Sequence, residues 1–280
     1  MKKLLIIKTG NSETFNETSS SEIVSIGDVF RNFFIYKNFK SQYDVHWLTS
    51  PFLKEFTQRH LDQATVYSSL NEVNFNDYTL IINLEKIELP NYLEDKTFGI
   101  FNKLSLKIFP SGEIINLNSF LEQYDYANNS YEKLIQKLLN ISSSGGRTYI
   151  KSTETFKYDV GLNWMCGKKW PDKQLEKSFW DTLYSKLSKN YTVSWQEGFN
   201  NLNEYEKWID SCRTIITSDS LGMHISMALN KPTLALFGPT NSKQIQLNEK
   251  SISINYDHNN LNQNALLDKI LLNYTNFNVR

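Results

Sequence analysis

Two short stretches of this 280-residue chain gather residue types able to hold and release a phosphate-bearing ligand. In residues 217–240, TSDSLGMHISMALNKPTLALFGPT, a polar break (Ser218, Asp219, Ser220) separates an apolar run from Met223, Met227 and Ala228 at helical spacing. Asn230-Lys231-Pro232 stops that helix, because proline lacks an N–H and disfavours a helical residue before it. Leu234-Ala235-Leu236-Phe237 then reads as a short buried strand, and Gly238-Pro239-Thr240 turns the chain at its carboxyl end. Helix N-terminal amides converge at such strand ends, where open α/β sheets bind their ligands. Hydroxyls, amides, a carboxylate and His224 on two adjacent strand ends therefore describe a polyanion site, although His224 also reads as a buried histidine that fixes the turn. The second stretch, residues 163–173 (NWMCGKKWPDK), lies between an expected strand and an expected helix. It sets Lys168, Lys169 and Lys173 against one acid, Asp172. Without a metal, lysines and helix amides must neutralise a leaving diphosphate. A solvated basic loop is the bland alternative, and the commoner use of a charge run.

The elements that would position these residues follow from hydrophobic periodicity. Residues 4–8 form a first buried strand, followed by a polar stretch. From Gly27 the spacing of Val29, Phe30, Phe33, Phe34 and Lys37 predicts an amphipathic helix. Strands are expected at 45–48 and 79–84 and a helix at 51–59. Residues 97–118 have strand and turn character around Pro110-Ser111-Gly112, and 131–139 form a helix. Ser142-Ser143-Ser144-Gly145-Gly146 reads as the start of an interdomain connection. A second alternation follows: strand 160–163, helix 175–187, strand 191–195, helix 203–212, strand 214–217, then the 217–240 segment and a last helix at 261–272. Two rounds of strand and helix on either side of a Ser/Gly hinge give an α/β protein of two Rossmann-like α/β/α domains facing across a cleft, residues 1–150 and 151–280. The last helix is free in this scheme to pack back on the first domain.

Composition narrows the function. Thirty basic and thirty acidic residues give a net charge of zero, against a nucleic-acid partner. Cys166 and Cys212 are too few for a disulfide framework, so reduced thiols and a cytoplasmic location are expected. No apolar run approaches the roughly 20 residues of a membrane-spanning helix, which leaves peripheral contact with a membrane surface open. The Gly-rich dinucleotide fingerprint and the Walker A pattern are missing, and His46, His60, His224 and His258 are scattered, with no D-x-D. Neither a cofactor nor a metal site is expected.

D-S-L-G-M-H at 219–224, followed by K-P-x-x-x-L-F-G-P-T at 231–240, resembles the sugar-nucleotide site of glycosyltransferase family 9, which contains the ADP-heptose:lipopolysaccharide heptosyltransferases. G-L-N-x-x-x-G-x-x-W-P-x-K at 161–173 is similar to the family's preceding signature, and Ile26-Gly27-Asp28-Val29, His46-Trp47-Leu48-Thr49-Ser50-Pro51 and Asn83-Leu84-Glu85 resemble its acceptor domain. The resemblance implies a GT-B architecture, with the acceptor on the first domain and the nucleotide sugar on the second, and an inverting, metal-independent transfer of a sugar onto a hydroxyl of a glycan, lipid-linked saccharide or other acceptor. The expected donor is ADP-heptose. It makes Asp28 the general base; on the residues alone Asp28 reads equally as the cap of the helix at Val29. It gives Lys173 to the donor phosphates and Asp219 to the donor sugar, with Asn163, Lys169, Ser220, Leu221, Gly222, Met223, His224, Gly238, Pro239 and Thr240 completing the donor site. Amides of 220–224 are expected on the diphosphate. Departures fall on the acceptor side: a long Thr9–Ser25 insertion (a lid, an acceptor-binding element or simple disorder), no proline near Asn32-Phe33-Phe34, and a lean first domain. A non-catalytic sugar-nucleotide-binding scaffold and a GT-B sugar-nucleotide epimerase remain as alternatives.

Overall fold

The computed structural model describes residues 1–16, 21–142, 150–198 and 201–278, so residues 143–146 of the expected hinge lie outside the described residues. The chain divides into two units, residues 1–148 with 243–246, and residues 149–242 with 247–280.

The first unit runs β1 (Lys2–Ile7), α1 (Ile26–Phe30), α2 (Phe34–Phe39), β2 (Tyr43–Leu48), α3 (Lys54–His60), β3 (Thr65–Tyr67), β4 (Leu80–Asn83), β5 (Thr97–Asn102), β6 (Ser105–Lys107), β7 (Ile114–Asn116), α4 (Leu117–Gln123) and α5 (Tyr131–Leu139). Its sheet order is β3-β2-β1-β4-β5-β6-β7. The first five strands are parallel, while β6 and β7 add an antiparallel edge that turns through residues 108–113. Leu4 to Ile7 are wholly buried, as expected of a central parallel strand covered on both faces. The single helix expected from Gly27 is broken into α1 and α2. Asn32 causes the break: its side chain donates to the Asp28 carbonyl at 2.7 Å, competing with the helical pattern, and to Tyr131 Oη at 3.0 Å.

The Thr9–Ser25 insertion is folded wherever it is described, so simple disorder does not account for it. Glu85 holds the amides of Thr9, Gly10 and Ser12, the Ser25 amide donates to the Gly10 carbonyl at 2.8 Å, and Phe15 is buried against Phe120, Tyr126 and Tyr131. Gly10 is required where it sits: its φ is +86°, and a Cβ there would press on the Ser25 carbonyl and Val29.

The second unit runs β8 (Tyr158–Asn163), α6 (Lys177–Leu187), β9 (Val193–Trp195), α7 (Leu202–Ser211), β10 (Cys212–Ser218), α8 (Leu221–Ala228), β11 (Thr233–Phe237), β12 (Ser251–Asn255) and α9 (Gln263–Asn278). All five strands are parallel, in the order β12-β11-β10-β8-β9. α9 is built into its own unit, with Leu266, Leu267, Ile270 and Tyr274 in one core cluster with Val160, Trp180, Leu183 and Leu236. Its apolar face closes the second core.

The strand orders locate the ligand crevices. In an open parallel sheet a ligand sits at the carboxyl ends of the two strands between which the order reverses. That point falls between β1 and β4 in the first sheet and between β8 and β10 in the second.

Candidate functional sites

At the carboxyl end of β1, Lys8 is wholly buried. Its Nζ lies 2.5 Å from Asp28 Oδ2 and 3.3 Å from Glu85 Oε1, and it donates to the Ser12 carbonyl at 2.7 Å. Burial alone would lower the lysine's pKa; Asp28, then Glu85 and Tyr131, outweigh it and raise the group above its ordinary value. Glu85, just beyond β4, is buried and fully engaged: Oε1 accepts from the amides of Thr9 (2.8 Å) and Gly10 (2.6 Å), and Oε2 from the Ser12 amide (2.8 Å) and hydroxyl (2.5 Å). Asp28 does not cap its helix. Ser25 occupies the N-cap position, and no side chain makes a cap bond there. Asp28 turns into the crevice, where its Oδ2 pairs with the Lys8 ammonium. One turn on, the Arg31 guanidinium holds Glu132 at 3.0 Å and lies over the Tyr131 ring at 4.0 Å. The sequence carried a signal for Lys8, a lysine ending an otherwise apolar strand, but nothing local marked the role of Glu85 as a clasp for the loop after β1.

In the second unit, Asn163 ends β8 with no exposed surface and joins three elements. Its Nδ2 donates to Thr217 Oγ1 at 2.7 Å and Ser220 Oγ at 2.9 Å, and its Oδ1 accepts from Tyr205 Oη at 2.6 Å. Gly222 makes this possible, since a Cβ there would overlap the Tyr205 hydroxyl and the Asn163 amide. Tyr205 was absent from the sequence-derived site; as a tyrosine on an amphipathic helix it gave no sign of pointing there.

Lys173 and Asp219 are brought together, with Nζ 2.6 Å from Oδ2. Burial works against the Asp219 carboxylate; Lys173, His224 and the Thr240 hydroxyl overcome it and hold the carboxyl below its usual range. The Thr240 hydroxyl, facing the Asp219 carboxylate, and the Ser218 hydroxyl are both buried at this strand end. Lys168 is exposed and Lys169 half-buried on the loop that carries Lys173. Burial pushes the Cys166 thiol up to about 11 despite nearby Lys173, which removes it as a nucleophile at neutral pH.

The amide expectation for residues 220–224 is narrowed by the helix itself. The Met223 and His224 amides already donate to the Ser220 carbonyl, at 3.1 and 3.4 Å, and the Met223 side chain is wholly buried. Leu221 and Gly222, in the first turn of α8, point their N–H groups out of the helix start, where the helix dipole favours an anion. Pro239 has no amide to lend, and Gly238 is required because a Cβ would run into the Tyr256 ring.

Two α/β units on Rossmann-type sheets, the first with an antiparallel edge, make up a GT-B fold, as the solved structures below show. Residues 197–271 match the model of the family described as glycosyltransferase family 9 (heptosyltransferase). A 43-residue stretch is 49% identical to lipooligosaccharide heptosyltransferase 2 of Haemophilus influenzae; it amounts to 15% of this chain and 12%, about an eighth, of that protein. Among solved structures, the E. coli heptosyltransferase WaaC with ADP is similar over 97% of this chain and 100% of its own, at 13% identity and a TM-score of 0.60. The glycosyltransferase family 9 protein of Veillonella parvula matches over 96% of this chain and 91% of its own, at 13% identity and a TM-score of 0.59. Residues 197–271 thus resemble glycosyltransferase family 9 (heptosyltransferase), and the chain as a whole shares the fold of solved heptosyltransferases.

Proposed function

We propose that the protein is an inverting, metal-independent glycosyltransferase that moves heptose from ADP-heptose onto a hydroxyl of a glycan or lipid-linked saccharide in the cytoplasm. Residues 1–150 hold the acceptor in this reading and residues 151–280 the donor. The observation that carries it is the Lys173–Asp219 pair at the strand-order reversal of the second sheet, beside the open first turn of α8. Asp28, paired with a buried ammonium at the equivalent point of the first sheet, supplies the complementary base.

Asp28 takes the proton of the acceptor hydroxyl as its oxygen attacks the anomeric carbon of the donor. The bond from that carbon to the diphosphate breaks on the opposite face, so the configuration inverts. The electron pair leaves with ADP. Lys173, Lys169 and the Leu221 and Gly222 amides stabilise the departing charge. Asp219 orients the donor sugar and holds Lys173 in place.

Release of ADP from ADP-heptose, measured with a deacylated oligosaccharide acceptor, tests this. Asp28→Asn is expected to lower kcat by about 10²–10⁴, the usual worth of a general base, with the affinity for ADP unchanged. Unaltered turnover in that variant overturns the role of Asp28. Wild-type protein that binds ADP but transfers from no donor points to a binding scaffold, and a donor altered without acceptor points to an epimerase.

A further inference from the structure

A second cavity, of about 450 Å³, opens at the carboxyl ends of β1, β2 and β3 in the first unit, within the size range of small-molecule sites. Thr49 and Ser50, directly after β2, line it. Thr49 is 1% and Ser50 7% exposed, and neither hydroxyl has a hydrogen-bond partner among the described residues. Buried polar groups in folded proteins are nearly always paired, so two adjacent orphans on a cavity wall point to a ligand that completes them. The other hydroxyls along this wall are engaged: Ser12 donates to Glu85 and accepts from the Lys86 amide, Ser68 donates to Glu72, and Thr9, Ser21 and Ser69 accept from the amides of Asn11, Ile23 and Asn71.

The charges of the wall decide the class of ligand. Its ionisable side chains are Glu22, Glu85 and Lys86, two carboxylates against one ammonium. Lys86 donates to the Asn16 carbonyl, and Glu85 is saturated by three amides and a hydroxyl. Lys54, close by in sequence, is paired with Glu72 at 3.1 Å. A phosphate or carboxylate placed here would therefore meet a net negative wall. Glu85 also joins this cavity to the base, since it shares Lys8 with Asp28.

We propose that this cavity is a subsite for a neutral, polyhydroxylated sugar ring of the acceptor, bound through the hydroxyls of Thr49 and Ser50. The proposal rests on the transferase reading above and adds to it that the part of the acceptor held here is uncharged.

Saturation-transfer NMR with the whole chain, without donor, tests it using methyl glycosides of neutral hexoses and heptoses, their 6-phosphates, and the methyl glycoside of a 3-deoxy-ulosonic acid. The neutral glycosides are expected to receive saturation, little changed between low and moderate salt, and the charged ones not. A Thr49→Val, Ser50→Ala variant is expected to lose about tenfold in affinity while ADP binding in the second unit is kept, which also reports that the protein is folded. Binding of only the charged glycosides, of none, or of neutral glycosides equally by the variant overturns the proposal. Absence of ADP-heptose turnover, measured separately, bears on the transferase reading alone.

Discussion

Replacing Lys173 by methionine keeps the length of the side chain and removes its charge. The lysine side chain is 17% exposed and that of Asp219 7%, at a separation of 2.6 Å. Breaking a buried pair typically costs about 3–5 kcal/mol, because the remaining charge stays buried alone. The partial exposure of the lysine places this pair near the lower end, at about 3 kcal/mol. The pH dependence gives the sharper test. In the wild type the Asp219 carboxyl is depressed, so its contribution is complete above the unfolded carboxyl value near 4 and is lost as pH falls through the folded value. Without Lys173, burial, already the largest influence, is opposed only by His224 and the Thr240 hydroxyl; the carboxyl is expected to rise, so the variant gains stability as falling pH neutralises it. The deficit of the variant is therefore greatest at pH 7 and narrows steadily toward pH 4. Urea unfolding followed by tryptophan fluorescence reads it, since Trp164, Trp170, Trp180, Trp195 and Trp208 lie in the second unit and Trp47 in the first. A deficit that stays constant across this range, or is absent at pH 7, refutes the electrostatic account of the pair. Calorimetric titration with ADP adds a second reading: on the proposed donor role of Lys173, loss of its charge should weaken binding by about 10–100-fold.

Three further outcomes follow from the packing. Gly222→Ala must displace either the start of α8 or the Tyr205–Asn163 hydrogen bond; scanning calorimetry should show about 1–3 kcal/mol of lost stability, with weaker ADP binding. Lys8→Met leaves Asp28 and Glu85 without their shared ammonium and should destabilise by about 3–5 kcal/mol, read by urea unfolding; Asp28→Asn should cost clearly less, because Glu85 still pairs with Lys8. Phe15→Ala empties a buried aromatic position under the insertion, and a loss of about 3–5 kcal/mol with faster proteolysis in residues 9–25 is expected; resistance equal to wild type would show that the insertion is held some other way.

The alternation of apolar runs and helical spacing was enough to read both Rossmann units, because central parallel strands such as Leu4–Ile7 and Leu234–Phe237 are apolar on both faces. Short edge strands left weaker traces: β3 has three residues and β12 only one buried side chain, so neither stood out. Asp219 and Lys173 were legible because turn residues and a basic loop flank strand ends. Tyr205 and Glu85 were not. Each reaches its site from 42 or more positions away in sequence, through side-chain direction that local patterning does not encode.

The charge held at each strand-order reversal gives the two crevices different aptitudes. In the first unit, Lys8 faces both Asp28 and Glu85, and the Arg31–Glu132 pair beside them is neutral, so the cluster carries one excess negative charge. In the second unit, Lys173 and Asp219 cancel, while the open amides of Leu221 and Gly222 add the positive end of α8. That balance disfavours a further cation and favours an incoming anion. Base chemistry in the first crevice and diphosphate binding in the second would each run against the local charge if exchanged. On the proposed reading, a proton acceptor in the first crevice and a leaving diphosphate in the second each match the local charge.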